Sequence, residues 1–239
     1  MKTLTTIILT FLILACVGAP DMTTVPVQKL LITVKSANDS HVAVNPPEVN
    51  KSMEIHNPEG RLSQLSFICG DKAFIKVFSG LSVADVTRLW NDFVVLENNT
   101  DIRDVNLFIN SPGGDAFSGL ALADQIERAK RKGFKITAHA SGIIASAAVP
   151  VFAVCDVRLA APGTIFMVHE AALWKWPGRE TASDIQSQND LMHLLRDRYI
   201  GKLAHNSTLS AKEWQAMERK TTWFSAEQAL GYGLVDSIE

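Results

Sequence analysis

The chain has 239 residues, 47% of them hydrophobic and 20% charged, with a formal net charge of −2. That fits one ordinary globular domain with additional segments, and neither the charge nor any basic run with interleaved aromatics makes a case for nucleic acid. No G-x-x-x-x-G-K-[ST] loop offers an ATP site, and the three cysteines have no CxxC or metal-ligand spacing, so neither metal nor cofactor is expected.

In chain order, residues 1–19 (MKTLTTIILTFLILACVGA) read as a leader. Lys2 precedes a run from Leu4 to Ala15 without a charge, and small residues follow. This is the layout of an export signal, too short to span a bilayer comfortably. Its end reads two ways. Ile13-Leu14-Ala15-Cys16 resembles a bacterial lipobox, which makes Cys16 the lipidated first residue of the mature chain and its membrane attachment. Val17-Gly18-Ala19 suits ordinary cleavage after Ala19. The lipoprotein reading is preferred, and with either the working part faces the periplasm or cell envelope. Residues 20–62 carry five of the nine prolines, and read as a tether with short strands at LLITVKS (30–36) and SMEIHN (52–57).

Residues 63–239 form the main expected domain. SFICG and AFIKVFS alternate as strands, and SVADVTRLWNDFVVLENN is an amphipathic helix with Ser82 at its N-cap. DVNLFINS (104–111) is a buried strand, AFSGLALADQIERAKRKG a helix, FKITAHA (134–140) a strand and ASAAVPVFAVC a helix. CDVRLAAPG and TIFMVHEA supply two more strands. Three helical stretches follow: SDIQSQNDLMHLLRDRYIGKLAHN, AKEWQAMERK and one within SAEQALGYGLVDSI. Strands alternating with helices predict an α/β domain with a largely parallel sheet.

The chemistry sits in the connections. Ser111-Pro112-Gly113-Gly114-Asp115 joins a strand to a helix, and its glycines let a ligand approach the backbone beside free N–H groups. Ser146 stands at the predicted start of the next helix. His169 ends a strand, where α/β sheets bind ligands. A serine hydroxyl needs a neighbouring base to become a nucleophile, and histidine suits that role near neutral pH. The developing oxyanion needs donors aimed in advance, which a glycine turn and a helix start provide.

INSPGGD, the G-x-x-A-S-x-A run from Gly142 to Ala148, FMVHE around His169 and the closing SAEQALGYGLVDSI resemble the Clp protease proteolytic subunit family. The resemblance spans about residues 66 to 239. It implies the ClpP/crotonase-like spiral of ββα units, with a protruding long helix at SDIQSQNDLMHLLRDRYIGKL. It further implies a serine peptidase with Ser146 as nucleophile, His169 as general base and the N–H groups of Gly114 and Ala147 as oxyanion hole. Peptides or unfolded protein are the implied substrates and a homo-oligomeric ring the implied assembly. The segment after His169 would pair with extended substrate, with Gly113, Trp174 and Trp176 as candidate substrate-binding residues; the two tryptophans could instead touch a lipid surface or pack on the long helix.

One position departs from the family pattern. The catalytic aspartate is expected four residues before Ser225, where this chain has Thr221. The alternatives are a Ser–His dyad oriented by Thr221 or a backbone carbonyl, a substitute acid at Glu218 or Glu170, or a weak enzyme; the dyad is preferred. Asp236 is read as structural, His139 as packed or exposed, and Lys175 as a minor candidate base. Cys69 and Cys155 are candidates for a disulfide in an oxidising compartment. The competing functions are a catalytically silent ring-forming scaffold or peptide binder, and a crotonase-type acyl-CoA enzyme. An exported chain meets little CoA, which counts against the last.

Overall fold

The computed structural model describes residues 55–57, 60–172 and 178–239. The leader, the strand expected at 30–36, and the 173–177 segment with Trp174, Lys175 and Trp176 lie outside the described residues. Strand β1 (Ile55–His56) pairs antiparallel with β2 (Ser66–Cys69), so the strand expected at SMEIHN joins the sheet edge. β2 pairs antiparallel with β3 (Lys72–Val77), and helix α1 (Val83–Asn99) follows. The carboxylate of Asp85 closes its first turn by accepting from the Ser82 N–H at 3.1 Å and the Ser82 hydroxyl at 2.7 Å. Asp92, fully buried on α1, accepts from the Ser63 N–H and from the hydroxyls of Ser63 and Ser66, tying the start of the domain to the helix.

The central strands are β4 (Asp104–Ser111) and β5 (Lys135–Ala145), joined by helix α2 (Ala116–Arg131). β3, β4 and β5 run parallel, and Leu107, Ile109 and Ile136 are completely buried. Asp115 caps α2, accepting from the Ser118 N–H at 2.8 Å and its hydroxyl at 2.7 Å.

β5 differs from expectation. Rather than ending at Ala140 and giving way to a helix, the strand runs on to Ala145. Its pairing with β4 slips between Ile109, which faces Ala140, and Ser111, which faces Ile144. Ser141, Gly142 and Ile143 thus oppose Asn110 alone, a bulge that carries two extra residues on β5. Gly142 takes φ 70° there, a side chain on it would strike the Asn110 amide at 2.9 Å, and Asn110 Oδ1 accepts from the Ile143 N–H at 3.2 Å. Below the bulge β5 pairs with β6 (Val157–Ala160), and above it with β7 (Ile165–Val168), both parallel. One strand therefore serves two leaves of the sheet.

Helix α3 (Ala148–Ala153) is shorter than expected and wholly buried. Pro150 fits its first turn, where a missing N–H costs no helical bond. Helix α4 (Ala182–His205) is the expected long helix, and α5 (Ala211–Arg219) follows with a capping box between Ser210 and Glu213. Strand β8 (Thr222–Ser225), which periodicity did not reveal, pairs antiparallel with β7. Helix α6 (Ala226–Gly231) and strand β9 (Ser237–Ile238) close the chain, β9 lying parallel to β6. Asp236 holds that edge: its Oδ2 accepts from the Arg158 N–H at 2.7 Å and its Oδ1 from Arg158 Nη2 at 2.6 Å. The order β2–β3–α1 and again β6–β7–α4 gives the ββα units of the expected α/β class.

Candidate active site

Ser146 lies at the turn between β5 and α3, not within the helix. Its φ of 53° is left-handed, a region that costs a non-glycine residue roughly 1 to 3 kcal/mol and is held only by strong surroundings. Those surroundings are visible. The Ser146 N–H donates to the Met167 carbonyl at 2.8 Å, and its own carbonyl accepts from the Val149 N–H at 3.0 Å and the Tyr199 hydroxyl at 3.3 Å. The backbone is clamped on both sides and the hydroxyl is left free to turn outward.

His169 directly follows β7. Because β7 is paired with the end of β5, the residue just after it brings the imidazole alongside the turn, and Nε2 lies 2.8 Å from Ser146 Oγ. An imidazole at that distance can take the hydroxyl proton as the oxygen attacks.

The Gly-Gly turn packs under the same point. A side chain on Gly113, whose φ is 89°, would meet the Ala145 carbonyl at 2.6 Å, Ser146 Cβ at 2.7 Å and the Ala147 nitrogen at 2.9 Å. Only a glycine lets the two turns touch. The turn is pinned by the Leu81 N–H on the Gly113 carbonyl at 2.7 Å and the Asp115 N–H on the Leu81 carbonyl at 3.0 Å. Between them, the N–H groups of Gly114 and Ala147 donate to no acceptor among the described residues. They border the same cleft as Ser146 and His169, a space of about 670 Å³. Two unspent donors beside a hydroxyl–imidazole pair can stabilise an oxyanion.

The structure separates the candidates for the third position. The β7–β8 register sets Val168 opposite Thr222, and continuing it by one residue sets Thr221 opposite His169. Thr221 is exposed, has φ 50° and makes no hydrogen bond to His169; its N–H donates to the Glu218 carbonyl at 3.1 Å. Glu170 is exposed as well. Glu218, by contrast, is buried and borders the cleft, yet it too makes no hydrogen bond to His169. Burial, reinforced by the charge of Glu170, pushes the Glu218 carboxyl up to about 7 against the pull of Arg196 and Arg219.

The long helix contributes residues that motif reading missed. Met192, Leu195, Arg196 and Tyr199 on α4 border the cleft. Their spacing of three and four is the signal that one helix face turns to the site. Burial first, and the Glu218 charge second, hold the Tyr199 phenol above its ordinary pKa. His139 lies elsewhere: its ring stacks on Phe108 at 4.6 Å and Nε2 bonds Asn106 Oδ1 at 2.9 Å. Cys69 and Cys155 are unpaired, and burial pushes the Cys155 thiol up to about 12, where it is unreactive. Among the described residues no group of three or more His, Cys, Asp or Glu could hold a metal ion.

Comparison with known proteins bears on the family and the fold. A family model described as Clp protease matches residues 70–239. The chain is 30% identical over 168 residues to the ATP-dependent Clp protease proteolytic subunit 1 of Tropheryma whipplei (strain Twist), a match that covers 68% of this chain and 78% of that one. It is also 30% identical over 166 residues to the ATP-dependent Clp protease proteolytic subunit 2 of Mycolicibacterium paratuberculosis, covering 68% and 80%. Among solved structures, a mutant of ClpP1 from Listeria monocytogenes superposes with a TM-score of 0.61 at 21% identity, over 70% of this chain and 90% of that one. This last likeness concerns the fold.

Proposed function

This chain belongs to the Clp protease family, and on that premise we propose that it is a serine endopeptidase acting on unstructured peptides and exposed protein segments. The observation that carries the reading is the 2.8 Å contact between His169 Nε2 and Ser146 Oγ beside two free N–H donors. Nε2 takes the hydroxyl proton while Oγ attacks the scissile carbonyl. The Gly114 and Ala147 N–H groups donate to the oxyanion, and the imidazolium then protonates the leaving amine. Water, activated by the same histidine, releases the acyl group from Ser146. With no carboxylate among the described residues bonded to His169, the working unit is a dyad, and Thr221 occupies the third position without a charge. The Gly113 turn leaves backbone open to the peptide, and Trp174 and Trp176 follow His169 on the segment proposed to flank it.

A fluorophosphonate probe tests the reading. It is expected to label wild-type protein on Ser146 and to leave Ser146→Ala unlabelled. A folded wild type that takes up no label on Ser146 would remove the nucleophile from the proposal.

The missing carboxylate favours one other reading, a catalytically silent ring-forming scaffold that binds peptides. Peptide turnover by wild type and none by Ser146→Ala excludes it. We further propose that the protein is exported, anchored through lipidated Cys16 and assembled as a homo-oligomeric ring. The leader motivates the first two, and kinship with proteins named as proteolytic subunits motivates the third. Mass spectrometry should find a mature chain that begins at acylated Cys16, and native mass spectrometry a multiple of its mass. A chain starting at Asp21 or Pro20, or a monomer, contradicts the respective part.

A further inference from the structure

The dyad leaves a buried carboxylate of the cleft without a use. Glu218, near the C-terminal end of α5, is only 2% exposed, and its Oε2 meets no hydrogen-bond partner among the described residues. A buried carboxylate oxygen without a donor is costly to the fold, so its retention at a cleft wall points to a partner that arrives with the substrate. The neighbouring cations do not fill that place. Arg196 has Nη2 2.7 Å from His193 Nδ1 and Nε 3.6 Å from Asp197, and it forms no ion pair with Glu218. Arg219 is exposed at the helix end and acts on Glu218 only through space. Nor does Tyr199 meet it, since that hydroxyl is turned to the Ser146 carbonyl.

Met192 and Leu195 of α4 border the same cleft as Glu218 and Ser146 and bring apolar side chains to it. Apolar surface beside an unpartnered carboxylate suits a long side chain with a methylene stem and a cationic head, although Arg196, whose Nε is also buried without a hydrogen-bond partner among the described residues, borders the same cleft. An acid at the base of a serine peptidase's specificity pocket selects such residues. Glu170 and Asp197 place negative charge near Glu218 and Arg196 and Arg219 positive charge, so the selection of a cation falls to the one unpartnered carboxylate.

We propose that Glu218 is the base of the pocket that receives the substrate side chain on the acyl side of the scissile bond, and that this pocket selects lysine or arginine. The inference rests on the peptidase reading of the same site. Because burial holds its carboxyl near neutrality, Glu218 ionises fully once a cation is seated beside it.

The test compares fluorogenic peptides that differ only in having arginine or leucine before the scissile bond. Wild type is expected to favour arginine at least tenfold in kcat/KM, and Glu218→Gln to lower the arginine-to-leucine ratio at least tenfold. A wild type that prefers leucine, or a ratio unmoved by the substitution, overturns the proposal. Calorimetry on Ser146→Ala reads the pocket without turnover, using N-acetyl dipeptides that end in arginine or leucine. Tighter binding of the arginine peptide supports the pocket even where wild type turns over neither substrate, in which case only the peptidase reading falls. Equal binding, or tighter binding of the leucine peptide, overturns the pocket and leaves the peptidase reading intact.

Discussion

Replacing His169 with alanine is expected to lower kcat/KM about a thousandfold while leaving the melting temperature nearly unchanged. A positioned general base contributes about 10² to 10⁴ in rate, and Nε2 of His169 is, among the described residues, the imidazole nitrogen within hydrogen-bond reach of Ser146 Oγ. The effect is expected to stay below that of removing histidine from a complete triad, because the proposed dyad has no carboxylate behind its imidazole among the described residues. Stability is spared because the side chain is only partly buried, and the β7–β8 ladder is held by backbone bonds and by Phe166 and Phe224. Steady-state kinetics and thermal unfolding of the same preparations decide the matter; an unchanged rate in a folded variant would falsify the assignment of the base.

Thr221→Asp is expected to act in the opposite direction and raise kcat/KM about a hundredfold. Losing the charge of a triad's carboxylate lowers kcat by about 10⁴, so restoring it in imperfect geometry recovers part of that range. The β7–β8 register brings residue 221 opposite His169, the place from which a carboxylate can reach the ring. The backbone favours the change as well. Thr221 holds φ 50°, which a β-branched residue adopts at a cost and which aspartate tolerates better. A carboxylate there stabilises the imidazolium, so the acidic limb of the pH–rate profile should move to higher pH together with the gain in rate. A faster enzyme with an unmoved profile would point to a structural effect, and no gain at all would mean that residue 221 does not address the ring.

The serine, the histidine and the glycine turn of the proposed site stand out in the sequence because each is a local pattern at a junction of elements. Gly113-Gly114, Ser146 and His169 each directly follow or closely trail a strand, and adjacent parallel strands deliver their ends to one edge. The exact seat of Ser146 was less legible. Periodicity ended β5 at Ala140, since Ser141-Gly142 looks like a stop, and only pairing with β7 shows that the strand resumes. β8 was missed for a related reason. Four residues, TWFS, make too short a run for a period-two signal, and the strand exists because β7 offers it an edge. The unpartnered state of Glu218 was beyond sequence reasoning altogether: it depends on where Arg196 and Tyr199 send their own polar groups. Two helices and a strand must be placed before that oxygen is seen to be alone.

The bulge in β5 has a bearing on how such a site can change. Each strand residue advances the chain about 3.3 Å, so the two extra residues opposite Asn110 take up roughly 7 Å of chain. That length is more than twice the separation of His169 Nε2 and Ser146 Oγ, which is 2.8 Å. The alignment of nucleophile and base is therefore set by slack three to five residues upstream, at Ser141 to Ile143, and not by the reacting residues themselves. An insertion or deletion there would detune the pair without altering either member. Asn110, whose amide holds the slack in place, is as much a part of the machine's calibration as any group that touches the substrate.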